Sequence, residues 1–225
     1  MLAILGLGFA IGLHHALEAD HIAAVATIAS RHSQPADIVK HGLTWGLGHA
    51  LTLFALGGAA FLLGHAIPDG LANALEFAVG VMLLLLGAHV LWRLWRRGLH
   101  VHVHEHAGER HLHLHSHQEG RQQGHQHQHG FRWRTLVVGF THGMAGSAAL
   151  LLLAMAQVRD PLRGLAYILV FGLGSMIGMG ALSAILAVPL ALSARFLTLA
   201  NNGLQALIGV STVCLGVMTM LAHLP

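Results

Sequence analysis

Six apolar runs divide the chain: Leu2–Ala29, Leu43–Leu63, Leu71–Trp95, Thr135–Gln157, Leu165–Leu192 and Leu197–Leu221. Each is long enough to cross a bilayer as a helix, which takes about 20 residues. Of nine Asp and Glu residues, only Glu18, Asp20 and Glu76 fall inside these runs. With 9% charged residues and a mean hydropathy of +0.64, a soluble globule would expose too much apolar surface to stay dispersed. The pattern predicts an all-α integral membrane protein of about six transmembrane helices. Polar turns separate most of them, at His32-Ser33-Gln34-Pro35, Pro68-Asp69-Gly70 and Arg159-Asp160-Pro161.

Several function classes drop out. The single cysteine, Cys214, excludes a disulfide framework and a Cys-based zinc site. The single lysine, Lys40, is in no G-x-x-x-x-G-K, so the polypeptide is not by itself an ATP-driven pump. The isoelectric point near 10 does not point to nucleic acid, because the basic residues sit near the ends of apolar runs and form no basic face. The apolar start, Met1 to Leu13, has no basic n-region and reads as a span, not a cleavable signal.

Those basic residues orient the chain. The loops after the first, third and fifth runs carry Arg31, Lys40, Arg93, Arg96, Arg97, Arg110, Arg121, Arg132, Arg134 and Arg195, against Arg159 and Arg163 on the other side. The positive-inside rule then puts both termini outside and the long central loop in the cytoplasm of a bacterial-type inner membrane.

That loop is the richest part of a chain with 21 histidines. It holds His100, His102, His104, His106, His111, His113, His115, His117, His125, His127 and His129, many alternating with Val or Leu, and its second half is rich in Gln and Gly. Its composition predicts a segment without fixed structure, offering several weak sites for divalent metals. The organisation expected is a three-helix transmembrane unit over 1–95, the His-rich loop over 96–133 and a second three-helix unit over 134–225.

The two units resemble each other. Gly12-Leu13-His14-His15-Ala16 recurs as Gly139-Phe140-Thr141-His142-Gly143, and Trp45-Gly46-Leu47-Gly48-His49 as Phe171-Gly172-Leu173-Gly174-Ser175. Gly80-Val81 with Gly87 recurs as Gly209-Val210 with Gly216. A three-span unit used twice inserts in opposite directions, the inverted-repeat plan of many secondary transporters, with the binding site near the midplane.

The chemistry concentrates in the first run, at His14-His15-Ala16-Leu17-Glu18-Ala19-Asp20-His21. Ionisable groups at such depth are costly unless paired or metal-bound, so they are functional candidates by default. On a continuous helix His14, Glu18 and His21 share one stripe, with His15 beside it and Asp20 turned away until the helix distorts. His49 and His142, the counterpart of His15, complete the candidate metal set of His14, His15, Glu18, Asp20, His21, His49 and His142. Imidazole with a few carboxylates suits Ni²⁺, Co²⁺, Zn²⁺ or Cu²⁺, whereas Mg²⁺ and Ca²⁺ prefer oxygen cages. His41, His65, His89 and His223 lie at run ends and read as interfacial packing, and Glu76 reads as interfacial too.

His15-Ala16-Leu17-Glu18-Ala19-Asp20-His21-Ile22 resembles the signature of the nickel/cobalt transporter superfamily, His-Ala-x-Asp-Ala-Asp-His-Ile, with Glu18 in place of the first Asp. The glycine-flanked His49 is similar to that family's Leu-Gly-His motif. The short six-span length, Thr141-His142-Gly143-Met144-Ala145-Gly146-Ser147 and the His-rich loop resemble its shorter branches, the urease-accessory-like permeases and nickel/cobalt efflux proteins. The resemblance implies metal recognition by His15, Asp20 and His21, with His49 contributing. It also implies nickel or cobalt as the ion carried, and a cytoplasmic metal chaperone or a urease or hydrogenase maturation system as partner.

The expected function is therefore secondary transport of Ni²⁺ or Co²⁺ through an intramembrane His/carboxylate site, with no fixed cofactor, no enzymatic activity and no nucleic-acid partner. The rival readings are a membrane metalloenzyme and a haem protein with His49, His65, His89 or His142 as axial ligands. Against the first, the chain has no His-Glu-x-x-His and no His-x-x-His-His.

Overall fold

The computed structural model describes residues 2–32, 34–64, 68–96, 100–106, 109–115, 133–145, 160–196 and 198–224. The helices are α1 (Leu2–His15), α2 (Ala19–Ala29), α3 (Pro35–Thr52), α4 (Gly58–Leu63), α5 (Asp69–Arg96), α6 (Trp133–Ala145), α7 (Pro161–Phe196) and α8 (Thr198–Ala222). A π-helical turn, Leu53–Gly57, joins α3 to α4 without a change of direction large enough to end the span.

Among the described residues four helical runs are long and apolar enough to cross a membrane: Pro35–Leu63, Asp69–Arg96, Pro161–Leu192 and Ala200–Ala222. The first expected span is present as α1 plus α2, bent by 59° at a short break. The second span starts at Pro35, ahead of the apolar run at Leu43, because proline at the first helical turn begins the helix before the hydrophobic residues do. The span expected over 135–157 opens as α6, and its remainder lies outside the described residues. The membrane part is all-α, as its composition requires.

Within the segment expected to lack regular structure, His100–His106 (β1) and Glu109–His115 (β2) pair antiparallel, His100 opposite His115, His102 opposite His113 and His104 opposite His111. Alternation of His with Val and Leu is the period of a strand, a signal that the segment's low-complexity composition obscures. His117, His125, His127 and His129 lie outside the described residues.

The bundle closes through glycines. Gly12 lies against the backbone of Phe171, and Gly139 against that of Trp45, so closely that a Cβ on either would strike the facing carbonyl oxygen. Gly48 meets the Leu136 carbonyl, and Gly174 meets the Phe9 carbonyl in the same way. Each contact is thus made twice, once from either half, with partners displaced by 126 or 127 positions. Gly80 against Gly216 and Gly87 against Gly209 form a further such couple between α5 and α8. Where lipid supplies no hydrophobic drive between helices, this close approach supplies the packing energy instead. The innermost core, Ala16, Ala24, Val25, Trp45, Leu83 and Met179 among others, surrounds the break between α1 and α2.

Candidate metal centre

His15 is the last residue of α1. Beyond it the backbone tightens: Leu17 N–H donates to the His14 carbonyl at 2.9 Å, Glu18 N–H to the His15 carbonyl at 3.1 Å, and Glu18 is extended. Helix α2 restarts with Ile22 N–H donating to the Glu18 carbonyl at 2.9 Å. Ala16-Leu17-Glu18 contains no glycine or proline, so local propensity alone would carry the helix through. The restart places Glu18 and Asp20 at the amino end of α2, where the helix dipole favours carboxylates.

This break, bent by 59°, is the distortion that the sequence reading required to bring Asp20 to the site. No single stripe joins His14, Glu18 and His21: His14 stands exposed on α1, away from the other histidines, and Asp20 turns inward. What comes together is His15, Asp20 and His21 at the break, His49 from α3 and His142 from α6. The four imidazoles are 8%, 1%, 0% and 1% exposed in chain order, at the depth where their polarity needs partners. His21 is central, its ring centroid 4.3 Å from those of both His15 and His142 and 5.0 Å from that of His49.

Carboxylates fix these rings. His15 Nδ1 donates to Glu18 Oε1 at 2.8 Å, His21 Nδ1 to Asp20 Oδ1 at 2.8 Å, and His142 Nε2 to Asp20 Oδ2 at 2.9 Å. Asp20 Oδ1 also accepts the His21 backbone N–H at 2.8 Å. In neutral rings so oriented, the opposite nitrogens carry lone pairs: Nε2 of His15, Nε2 of His21 and Nδ1 of His142. His15 Nε2 faces His49 Nε2 at 3.2 Å, while His21 Nε2, His49 Nδ1 and His142 Nδ1 are buried without a hydrogen-bond partner. An imidazole held by a carboxylate at one nitrogen and bare at the other is the arrangement of a metal-binding histidine.

Two groups have their ligand atoms mutually within 4.8 Å: His15, His21 and His49, and Asp20, His21 and His142. Glu18 belongs to neither and acts on the site through His15. Trp45, which the sequence reading did not single out, walls the cluster, with ring centroids 5.5 Å from His21, 6.0 Å from His49 and 5.2 Å from His142. The available signal was its position four residues before His49, on the same face of α3. Phe171 closes the His15 side at 5.4 Å.

The histidines expected at run ends stand apart from this centre. His41 shares a hydrogen bond with Thr135 Oγ1 at 2.7 Å and stacks on His32 at 4.1 Å. His89 lies against Trp92, and His223 Nδ1 donates to the Thr219 carbonyl. His65 lies outside the described residues.

Residues 3–218 match the family described as the cytochrome C biogenesis protein transmembrane region. The chain is also similar to a urease accessory protein, UreH, of Bacillus sp. (strain TB-90), 36% identical over 213 residues, covering 95% of this chain and 89% of the relative. This bears out the resemblance to urease-accessory-like proteins read from the short six-span length, the Thr141–Ser147 segment and the His-rich loop. No solved structure matches. The family match and the accessory-protein relative are consistent with the non-enzymatic membrane protein read from the sequence.

Proposed function

The chain belongs to the cytochrome C biogenesis protein transmembrane region family, with a urease accessory protein as its relative, and from that premise we propose that it carries a divalent transition-metal ion, nickel or cobalt, across the membrane through the buried histidine cluster. The observation that carries this reading is the convergence of four buried imidazoles, three of them held by carboxylates, with the second nitrogen of His21 and of His142 left without a partner and that of His15 facing His49. Nitrogen-rich donors with adjacent carboxylate suit borderline ions such as Ni²⁺ and Co²⁺. The single cysteine, Cys214, leaves no thiol pair for disulfide exchange and no C-x-x-C-H for covalent haem, so the family's description does not transfer to this chain as an activity.

The architecture supports transport. The doubled glycine contacts support an inverted repeat over 1–95 and 134–225, and rocking one half on the other would open the cluster to alternate sides. The termini lie outside and the His-rich loop lies in the cytoplasm, by the basic-residue count. There His100 to His129 hold ions for exchange with a metal chaperone or a maturation system, a partner supported by the relative's name. An inside-negative potential of 100 mV favours entry of a divalent ion by about 4.6 kcal/mol, enough to drive uptake without a further energy source.

The test is metal flux in proteoliposomes of known orientation, with Ni²⁺, Co²⁺ and Zn²⁺ compared with and without an imposed potential. Potential-driven flux of Ni²⁺ or Co²⁺ is expected. Absence of flux for all three ions under any gradient contradicts the reading.

A further inference from the structure

The two candidate ligand groups are not separate sites, because both contain His21. Its ring is wedged between His15 and His142, equidistant from the two at 4.3 Å. Its nitrogens face different surroundings: Nδ1 donates to Asp20, beside His142, while Nε2 is buried without a partner. A ring placed so can hold an ion at either nitrogen. With metal–nitrogen bonds near 2 Å, the two positions would stand about 6 Å apart across the imidazole.

We infer that the ion occupies two successive positions in the membrane, the first among His15, His21 and His49 and the second among Asp20, His21 and His142, and passes between them across the His21 ring. The inference rests on the reading of the cluster as the metal's path. The two positions use opposite nitrogens of the His21 ring, so the step releases Nε2 and then engages Nδ1, with the Asp20 carboxylate and His142 beside Nδ1 to receive the ion. The first position is all nitrogen, and two of its three rings are already oriented, His15 by Glu18 and His21 by Asp20. The second brings in the Asp20 carboxylate as a ligand. For that, the protons on His21 Nδ1 and His142 Nε2 move to the opposite nitrogens of the same rings, His21 Nε2 and His142 Nδ1. Each ring keeps one proton, and no proton leaves the site.

The test uses the full chain with the loop histidines His100 to His129 replaced by serine, so that bound Co²⁺ reports on the membrane site alone. Binding is read from the Co²⁺ absorption spectrum and the ligand set from X-ray absorption, with flux measured in proteoliposomes. His142→Ala and His142→Gln remove the second position: Co²⁺ stays bound with nitrogen ligands at an affinity within about threefold of the parent, while flux falls about tenfold or more. His49→Ala removes the first position: bound Co²⁺ gains oxygen ligation, and flux falls as far. His21→Ala loses both binding and flux. Parental flux in both His142 variants overturns the two-position path, and so does complete loss of Co²⁺ binding in His142→Gln and His49→Ala alike, which indicates one undivided site. Lack of both Co²⁺ binding and flux in the parent itself contradicts the transport reading instead.

Discussion

Asp20 and His21 are neighbours in the chain, and one carboxylate oxygen of Asp20 accepts both the backbone N–H and the ring Nδ1–H of His21, each at 2.8 Å. The other oxygen takes the ring N–H of His142 from the opposite half of the molecule. A single carboxylate at the start of α2 therefore sets the tautomer of two rings and links the helix break to α6.

Asp20→Asn keeps the size of the side chain but replaces one acceptor oxygen by a donor, so His21 and His142 cannot both be held. Metal affinity and flux should fall by about tenfold to a hundredfold, the usual cost of losing an outer partner of a ligating imidazole. Co²⁺ titration and proteoliposome flux on equal amounts of inserted protein measure both.

Glu18 is exposed and holds His15 through a single contact. Glu18→Gln retains an oxygen that accepts from His15 Nδ1 and should change flux by less than about threefold, whereas Glu18→Ala frees the ring and should cost about tenfold. The comparison separates orientation from charge: equal losses in the two variants would assign Glu18 an electrostatic role.

At Gly139 and Gly12 the facing atoms are backbone and cannot move aside as a side chain would. Gly139→Ala and Gly12→Ala should each destabilise the bundle by about 1–3 kcal/mol or more, as overpacking does. At Gly6 nothing lies within 4 Å of a new Cβ, and Gly6→Ala should be neutral within about 0.5 kcal/mol. Thermal unfolding in one detergent, followed for all three variants, reads the difference.

The loop histidines should release metal as the pH falls through about 6.5, where an ordinary imidazole gains a proton and ceases to be a ligand. Replacing His100 to His129 by serine should abolish that acid-sensitive fraction. Equilibrium dialysis with Ni²⁺ between pH 5 and 8 follows it directly.

Much of this molecule is legible without coordinates, and the rest fails for identifiable reasons. The apolar runs announce helices because in a bilayer length and hydropathy decide nearly everything. His15, Asp20, His21, His49 and His142 stand out because charge at that depth needs a purpose. The break after His15 is invisible locally, since Ala16-Leu17-Glu18 favours helix and tertiary demand overrides it. On a continuous helix Asp20 would face away and His14 would join the stripe; the break brings Asp20 in and leaves His14 exposed. Trp45 passes as ordinary core, its role visible only when α3 and α6 are brought together. The hairpin at His100–His115 shows the opposite failure, where a strand period lay in plain view under a low-complexity composition.

The most direct measurement is Ni²⁺ flux in proteoliposomes under an inside-negative potential, for the unmodified protein and for His21→Ala, at matched insertion. Removing the ring common to both ligand groups should bring flux to the level of protein-free vesicles. Flux in His21→Ala equal to that of the unmodified protein would place the path elsewhere and contradict the account.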